Sequence, residues 1–475
     1  MINSSHSPTL PLSRSSTLFL FLALLHASAL AQSLPWELPP RTAEPVLRLP
    51  SNPAEILERF DIGPTQLANL VDNQPLTPSE HDLVLKMLYR LPRLGRENLS
   101  RWRKANVDWD QLVAAPNDYR AQVVHFKGRA LRAEKQSLPP DQAELYEFSH
   151  YFRVTLALDR APHQALILTR RIPAAWPFDQ PLDEPTSADV LFLKLANSQL
   201  VFATPALEWR PDQPNPSYHI GPDQLALSKL GLDVSLWDDV RHTNDQPLTA
   251  ADREGFYQLL AALSRPDGRQ LRSQTKNPLD VVPLLKNPAN HFGQILPVQG
   301  IARRALKVAV TDADIQTRLG INHYYEIDLF VPLVGPKLQF EGDKKGGPKA
   351  VYENTFPVTL IVPALPAGLP EGENLHERVR ADGVFFKIWT YRSGYTSRVG
   401  QLQRAPLFVS ANVRFMRAAP TANWVTSSLV LVVLALTLGV AAVIAWAYGR
   451  EDPLGRKKIG GRTKDSSPPD FSHLT

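Results

Sequence analysis

Gln74-Pro75-Leu76-Thr77 recurs as Gln246-Pro247-Leu248-Thr249, an offset of 246 − 74 = 172. The same offset carries Pro116 onto Pro288, Gln122 onto Gln294, Gly128 onto Gly300, Ala130 onto Ala302 and Arg132-Ala133 onto Arg304-Ala305, without a gap. A register held over about sixty residues marks an internal repeat. The chain therefore reads as a tandem duplication of one module, which limits its architecture more than any other feature.

Each copy opens with a helix signal. Thr77 and Glu80 have capping-box spacing with Pro78 at the first helical position, and Leu83, Val84, Met87, Leu88 and Leu91 form one apolar stripe. The second copy has Thr249 and Asp252, then Phe256, Leu259, Leu260 and Leu263. Strand patterns follow. Val123, Val124 and Phe126 lead to a bend or bulge at Gly128, and Ile295, Leu296 and Val298 lead to Gly300. Tyr151–Leu156 matches Tyr324–Leu329 at 324 − 151 = 173, and Phe192-Leu193-Lys194 matches Phe385-Phe386-Lys387 at 385 − 192 = 193. Leu166-Ile167-Leu168 matches Thr359-Leu360-Ile361 at that same shift. An insertion of 193 − 173 = 20 residues thus falls between the second and third strands of copy two, where Gly- and Lys-rich Pro336 to Asn354 reads as a long hairpin loop.

The expected fold class is α+β: a module of one N-terminal helix and about five short antiparallel strands, present twice. Strands that bend at a glycine, with a fourth strand of the Phe385-Phe386-Lys387 kind, resemble an OB-type barrel. A plain antiparallel sandwich or open sheet is the alternative.

The two ends give the location. Arg14, the apolar run Leu18–Leu25 and the small-x-small site Ala29-Leu30-Ala31 read as a signal peptide. Trp424 to Trp446 is nearly all apolar and would span roughly 33 Å as a helix. Trp424, Trp446 and Tyr448 fit interfacial positions, and Arg450, Arg456, Lys457, Lys458, Arg462 and Lys464 fit a cytoplasmic flank. The expected organisation is a signal peptide over 1–31, a Pro-rich lead-in over 32–58, a first module over 59–210 and a linker over 211–228. A second module over 229–417 with a loop insertion at 333–356, a transmembrane helix over 424–448 and a basic cytoplasmic tail over 449–475 complete it.

The chain contains no cysteine, which excludes disulfides, thiolate metal sites and thiol catalysis. Its net charge of +5 is small for 475 residues, and an extracytoplasmic domain makes nucleic acid an unexpected partner. Gly342–Gly347 lacks phosphate-loop spacing, His376-Glu377-Arg378 lacks a second histidine, and no G-x-S-x-G occurs. No metal or cofactor is expected. The basic pairs Arg170-Arg171 and Arg303-Arg304 read as salt-bridge formers as readily as ligand contacts, and Arg132 and Arg304 correspond under the repeat.

One segment presents a candidate ligand face. In a strand of period two, Phe385, Lys387, Trp389 and Tyr391 share one side, an aromatic-basic face able to stack rings while the lysine contacts an anion. The competing reading buries these rings with Lys387 snorkelling outward. The chain is therefore expected to be a single-pass, membrane-anchored envelope protein with a non-enzymatic binding or scaffolding ectodomain. Its expected partners are the membrane and an envelope protein or glycan. An oligosaccharide binder using that strand face, or a hydrolase with its site between the modules, are the rival readings. The second copy, with its extra loop and fuller aromatic face, is where function is expected.

Overall fold

In a computed structural model the described residues are 52–449 except 105, 160–162, 336, 341–348, 398–401 and 418–423, with side chains over 52–417 and 432–446. The signal peptide, most of the lead-in, the Gly/Lys loop tip and the basic tail lie outside them.

The first half opens with helices α1 (Pro53–Glu58), α2 (Pro64–Leu67), α3 (Pro78–Trp102), α4 (Trp109–Ala114) and α5 (Pro116–Tyr119). Strand β1 (Val123–Ser137), helix α6 (Pro140–Tyr146), then β2 (His150–Leu158), β3 (Gln164–Thr169), β4 (Pro181–Ala196), β5 (Gln199–Thr204) and β6 (Glu208–Trp209) follow. The second half has α7 (Pro222–Lys229), α8 (Trp237–His242), α9 (Arg253–Ser264), α10 (Val281–Lys286), β7 (Ile295–Ala309), α11 (Ala313–Leu319) and β8 (His323–Pro332). It continues with the hairpin β9 (Leu338–Phe340) and β10 (Ala350–Tyr352), then β11 (Thr355–Val362), β12 (Glu377–Tyr391), α12 (Gly394–Ser397), β13 (Gln403–Val409) and β14 (Val413–Phe415).

Two six-stranded sheets result, in similar arrangement. The first runs β1-β2-β3-β5-β4 and returns to β1, with β6 appended to β4. The second runs β7-β8-β11-β13-β12 and returns to β7, with β14 appended to β12. Such a circuit leaves no free edge along its main strands. It requires β1 and β7 to bend so that each pairs on both sides. Gly128 and Gly300 make the bend fit, because an added Cβ would lie 2.3 Å from the Ala157 carbonyl oxygen and 2.5 Å from that of Phe330. Register shifts follow at Ala130/Arg132 and Ala302/Arg304. Further shifts fall at Phe192/Lys194 and Phe385/Lys387.

Helix α3 starts at the expected capping box: Glu80 N donates to Thr77 Oγ1 and Thr77 N to Glu80 Oε2 at 2.7 Å. Its apolar side (Val84, Leu88, Leu91) packs with Leu191, Leu193, Val201 and Ala203, outside the circuit. Phe126, Val154, Ile167, Phe192 and Phe202 belong to the other core, inside it. In the second half Asp252 accepts from Thr249 N at 2.8 Å, but the helix itself begins only at Arg253.

Four expectations change. The strands number six rather than five in each main sheet, and the principal ones are long, 15 residues in β1 and 16 in β4. The lead-in already holds α1, capped by Asn52. Helices α6 and α11 stand between the first two strands of each half. The linker 211–228 contains most of α7, and its start copies α2: Gly63 N donates to Gln66 Oε1 at 3.0 Å and Gly221 N to Gln224 Oε1 at 3.1 Å. Ile62-Gly63-Pro64-Thr65-Gln66-Leu67 and Ile220-Gly221-Pro222-Asp223-Gln224-Leu225 correspond at 220 − 62 = 158, a shift hidden by a length change before Gln246.

Residues to Arg417 form one unit and residues from Ala418 another. The second unit contains α13 (Trp424–Gly449), 26 residues long. From Val432 to Trp446 every residue is exposed, Leu436 and Leu438 at 63%. Among the described residues no helix is long and apolar enough to cross a membrane.

Candidate functional site

The expected ligand face is not an open face. The register shift between Phe385 and Lys387 breaks the two-residue alternation on which it rested. Phe385 is buried, its ring against Phe292 at 5.8 Å and Phe408 at 5.6 Å. Lys387 is 0% exposed, with Nζ 3.0 Å from Asp252 Oδ2. Trp389 is 9% exposed, donates from Nε1 to Thr359 Oγ1 at 3.2 Å and stacks on half-buried Tyr391 at 4.6 Å. Lys387 thus faces a carboxylate on the cap of α9 instead of solvent, and burial pushes its pKa down against the pull of Asp252.

The first half has the same device. Lys194 Nζ donates to Glu80 Oε1 at 2.6 Å, with exposures of 0% and 1%. The two pairs match at 252 − 80 = 172 and 387 − 194 = 193. Burial raises the Glu80 pKa, but the Lys194 hydrogen bond and the Thr77 and Val71 backbone donors outweigh it and leave it low. Beside each pair a second link repeats: Leu195 N donates to Asp72 Oδ1 at 2.8 Å, and Ile388 N to Asn244 Oδ1 at 3.0 Å. The lysine on the fourth strand is a clamp between helix cap and barrel.

Carboxylates do meet where the halves join. Arg96 Nη1 lies 3.7 Å from Glu208 and 3.5 Å from Asp233, and Arg210 holds Glu208 at 2.7 Å. Burial raises the Asp233 pKa against the pull of Arg96. Nearby, Arg171 reaches Asp239 at 2.8 Å, and Ala174 N donates to Asp238 at 2.8 Å. These charges fasten one half to the other, and Asp233 has no exposure with which to meet a substrate.

An open recess of about 390 Å³ lies on the second half, lined by Ala261 and Ser264 of α9, Arg265 just after it, Arg318, Leu319, Ile321, Asn322 and His323 around the end of α11, and Pro363 after β11. Its volume lies within the ~300–1,000 Å³ of small-ligand sites. Arg318 is fixed at its edge, bidentate to Glu254 at 2.7 Å through both terminal nitrogens. Register identifies its counterpart in the first half. Ala261 corresponds to Tyr89 at a shift of 172, Leu319 and Ile321 to Tyr146 and Phe148 at 173, and Pro363 to Arg170 at 193. Those larger side chains fill the place in the first half, with Tyr89 6.3 Å from Tyr146 and Phe148 6.3 Å from Tyr146. A large-to-small change at matched positions was the available sequence signal, and it needed the register of all five strands.

A third cluster sits on β7 and β8. Arg304 Nε and Nη2 hold Asp328 Oδ2 at 2.7 Å and Glu326 Oε1 at 2.6 Å. Glu326 is 14% exposed; burial first and the Asp328 charge second push its pKa up to about 7 despite Arg304. Arg304 is thus a salt-bridge former, while Arg132 reaches Glu134 at 3.0 Å. Among the described residues no three His, Asp or Glu side chains gather as metal ligands.

No protein-family model matches the chain, and no curated protein matches it in sequence. Among solved structures, it is similar to a putative aspartyl-tRNA synthetase from Leishmania major Friedlin at 9% identity, covering 48% of this chain and 47% of that one, with a TM-score of 0.15. It is also similar to the Ifi202 HINa domain in complex with 20bp dsDNA at 7% identity, covering 62% and 96%, with a TM-score of 0.13. Scores this low carry no argument about fold or ligand.

Proposed function

We propose that the protein is a single-pass, membrane-anchored binding protein of a cell envelope, without catalytic activity, whose ligand site is the recess on the second half. The observation that carries this reading is the contrast at matched positions: Ala261, Leu319, Ile321 and Pro363 leave about 390 Å³ open where Tyr89, Tyr146, Phe148 and Arg170 fill the first half. Ser264, Asn322, His323 and Arg265 line it with hydroxyl, amide, imidazole and guanidinium groups, a set suited to a hydroxyl-rich ligand of saccharide type. Each half's strand circuit resembles that of an OB-type barrel, and the first half acts as its structural partner through the Arg96 seam. Anchoring is supported by the apolar run from Trp424 to Trp446 and its basic flank.

Saturation-transfer NMR of the full chain with a panel of mono- and disaccharides tests the site. Wild type is expected to show transfer, and Ala261→Tyr, which installs the first half's ring, to lose it. Absence of transfer in wild type, or equal transfer in the variant, sinks the reading. Alkaline extraction of membranes tests the anchor separately: the full chain should stay in the pellet and a chain ending at Arg417 should not.

A further inference from the structure

The first half carries arginines with aromatic partners but no carboxylate. Arg90 Cζ lies 4.9 Å from the Phe60 centroid and 4.7 Å from that of Tyr89. Arg93 lies 5.2 Å from the Tyr89 ring, and Arg170 lies 4.6 Å from that of Phe148. These groups are contiguous: the rings of Tyr89, Tyr146 and Phe148 touch in series, and the Tyr89 hydroxyl acts electrostatically on Arg170. Arg153 on β2 lies near α3, close enough to act on His81 and Tyr151.

Among the described residues none of Arg90, Arg93, Arg153 and Arg170 has an ion pair within 4.0 Å, although most of the other described arginines do. The Nε atoms of Arg90 and Arg153 are buried with no hydrogen-bond partner. Two carboxylates lie near. Asp82 already accepts from the Tyr146 hydroxyl at 2.6 Å, and Glu147 acts on Arg170 without forming a bridge. A guanidinium with a ring against its face keeps its in-plane N–H donors at the edge, in the fork that matches an oxyanion. Several such groups held by rings, with Arg93 Nη2 reaching only the Tyr89 hydroxyl at 3.4 Å, are arranged for an anion that the chain itself does not supply.

We propose that this surface, formed by Arg90, Arg93, Arg153 and Arg170 among Phe60, Tyr89 and Phe148, binds phosphate groups of an anionic ligand. It is separate from the recess of the second half and does not depend on it. Phosphate chemistry reaches such a surface from two sources, a soluble polyphosphate or a phospholipid headgroup, and the same arginines serve both.

The test uses the full chain in nanodiscs of phosphatidylcholine, titrated with tripolyphosphate in a calorimeter. Saturable binding is expected, weakened at least tenfold in the Arg93→Gln/Arg170→Gln double variant and unchanged in Arg414→Gln, an exposed arginine on β14. Arg93→Gln alone, whose side chain is exposed and touches only Tyr89, should weaken binding severalfold with an unshifted thermal midpoint, which separates lost binding from lost folding. A second arm titrates a soluble short-chain phosphatidylglycerol. Competition with tripolyphosphate assigns the surface to lipid headgroups, and tripolyphosphate binding alone assigns it to soluble phosphate. No saturable binding of either probe by wild type, or equal affinity in the double variant and in Arg414→Gln, overturns the proposal.

Discussion

Lys387 and Asp252 meet at 3.0 Å with neither side chain exposed, and they join the fourth strand of the second barrel to the cap of the helix outside it. A buried pair is costly to form and costlier to break, because removing one partner leaves the other charge unpaired in a poor solvent. Lys387→Met should therefore destabilise the protein by about 3–5 kcal/mol in urea unfolding, and Lys387→Met with Asp252→Leu by much less. Strongly additive losses would show that the two residues act independently.

Gly300 offers a sharper test of the barrel circuit. A Cβ there would meet the Phe330 carbonyl oxygen at 2.5 Å, and a backbone atom held by β7–β8 pairing cannot step aside as a side chain would. Gly300→Ala should cost about 1–3 kcal/mol, the scale of overpacking elsewhere. Gly128→Ala should cost as much, while Gly394→Ala, with open space around it, should cost little.

Glu326 makes the stability of the second half depend on pH. Its pKa is raised from 4.5 to about 7, so the folded state holds the proton that the unfolded chain releases. The stabilisation is complete below about pH 4.5 and is lost as pH rises through 7, because the unfolded state binds fewer protons over that window. Glu326→Gln should flatten this fall and leave the variant more stable than wild type at pH 8, by up to about 3 kcal/mol. Thermal midpoints at pH 5 and pH 8 measure both effects, and parallel curves for the two proteins would count against the assignment.

Tyr146 on α6 and Arg318 on α11 join corresponding pairs of helices, α6 to α3 and α11 to α9, by different chemistry. Tyr146 donates one hydrogen bond to Asp82 at 2.6 Å, whereas Arg318 makes two to Glu254. Tyr146→Phe should cost about 1 kcal/mol, the net value of a typical hydrogen bond. Arg318→Met should cost about 3–5 kcal/mol because half-buried Glu254 loses its partner. Comparable losses in the two variants would mean that the contacts are worth the same.

Much of the fold was legible because it is written in local rules. Thr77 and Glu80 cap a helix by their spacing, and Gly128 and Gly300 mark the bend of a strand. The shift from 173 to 193 locates the β9–β10 hairpin between the second and third strands of the second half. The candidate site was not legible in the same way. Phe385, Lys387, Trp389 and Tyr391 lie on one face only if the strand is regular, and the bulge between Phe385 and Lys387 removes that condition. Lys387 looks like a surface cation until Asp252, 387 − 252 = 135 residues earlier, is brought against it.

The sequence by itself determined that one pattern of helix and strands occurs at two places, that no thiol chemistry is available, and that the segment from Trp424 to Trp446 is nearly all apolar and carries no charge. Those features depend on residue type and spacing along the chain. Only the tertiary structure decided that the strands close into circuits, that both fourth-strand lysines are buried clamps, and that Ala261, Leu319, Ile321 and Pro363 leave a recess where Tyr89, Tyr146, Phe148 and Arg170 do not. Burial and charge pairing are properties of what surrounds a side chain, and its surroundings come from residues a hundred or more positions away.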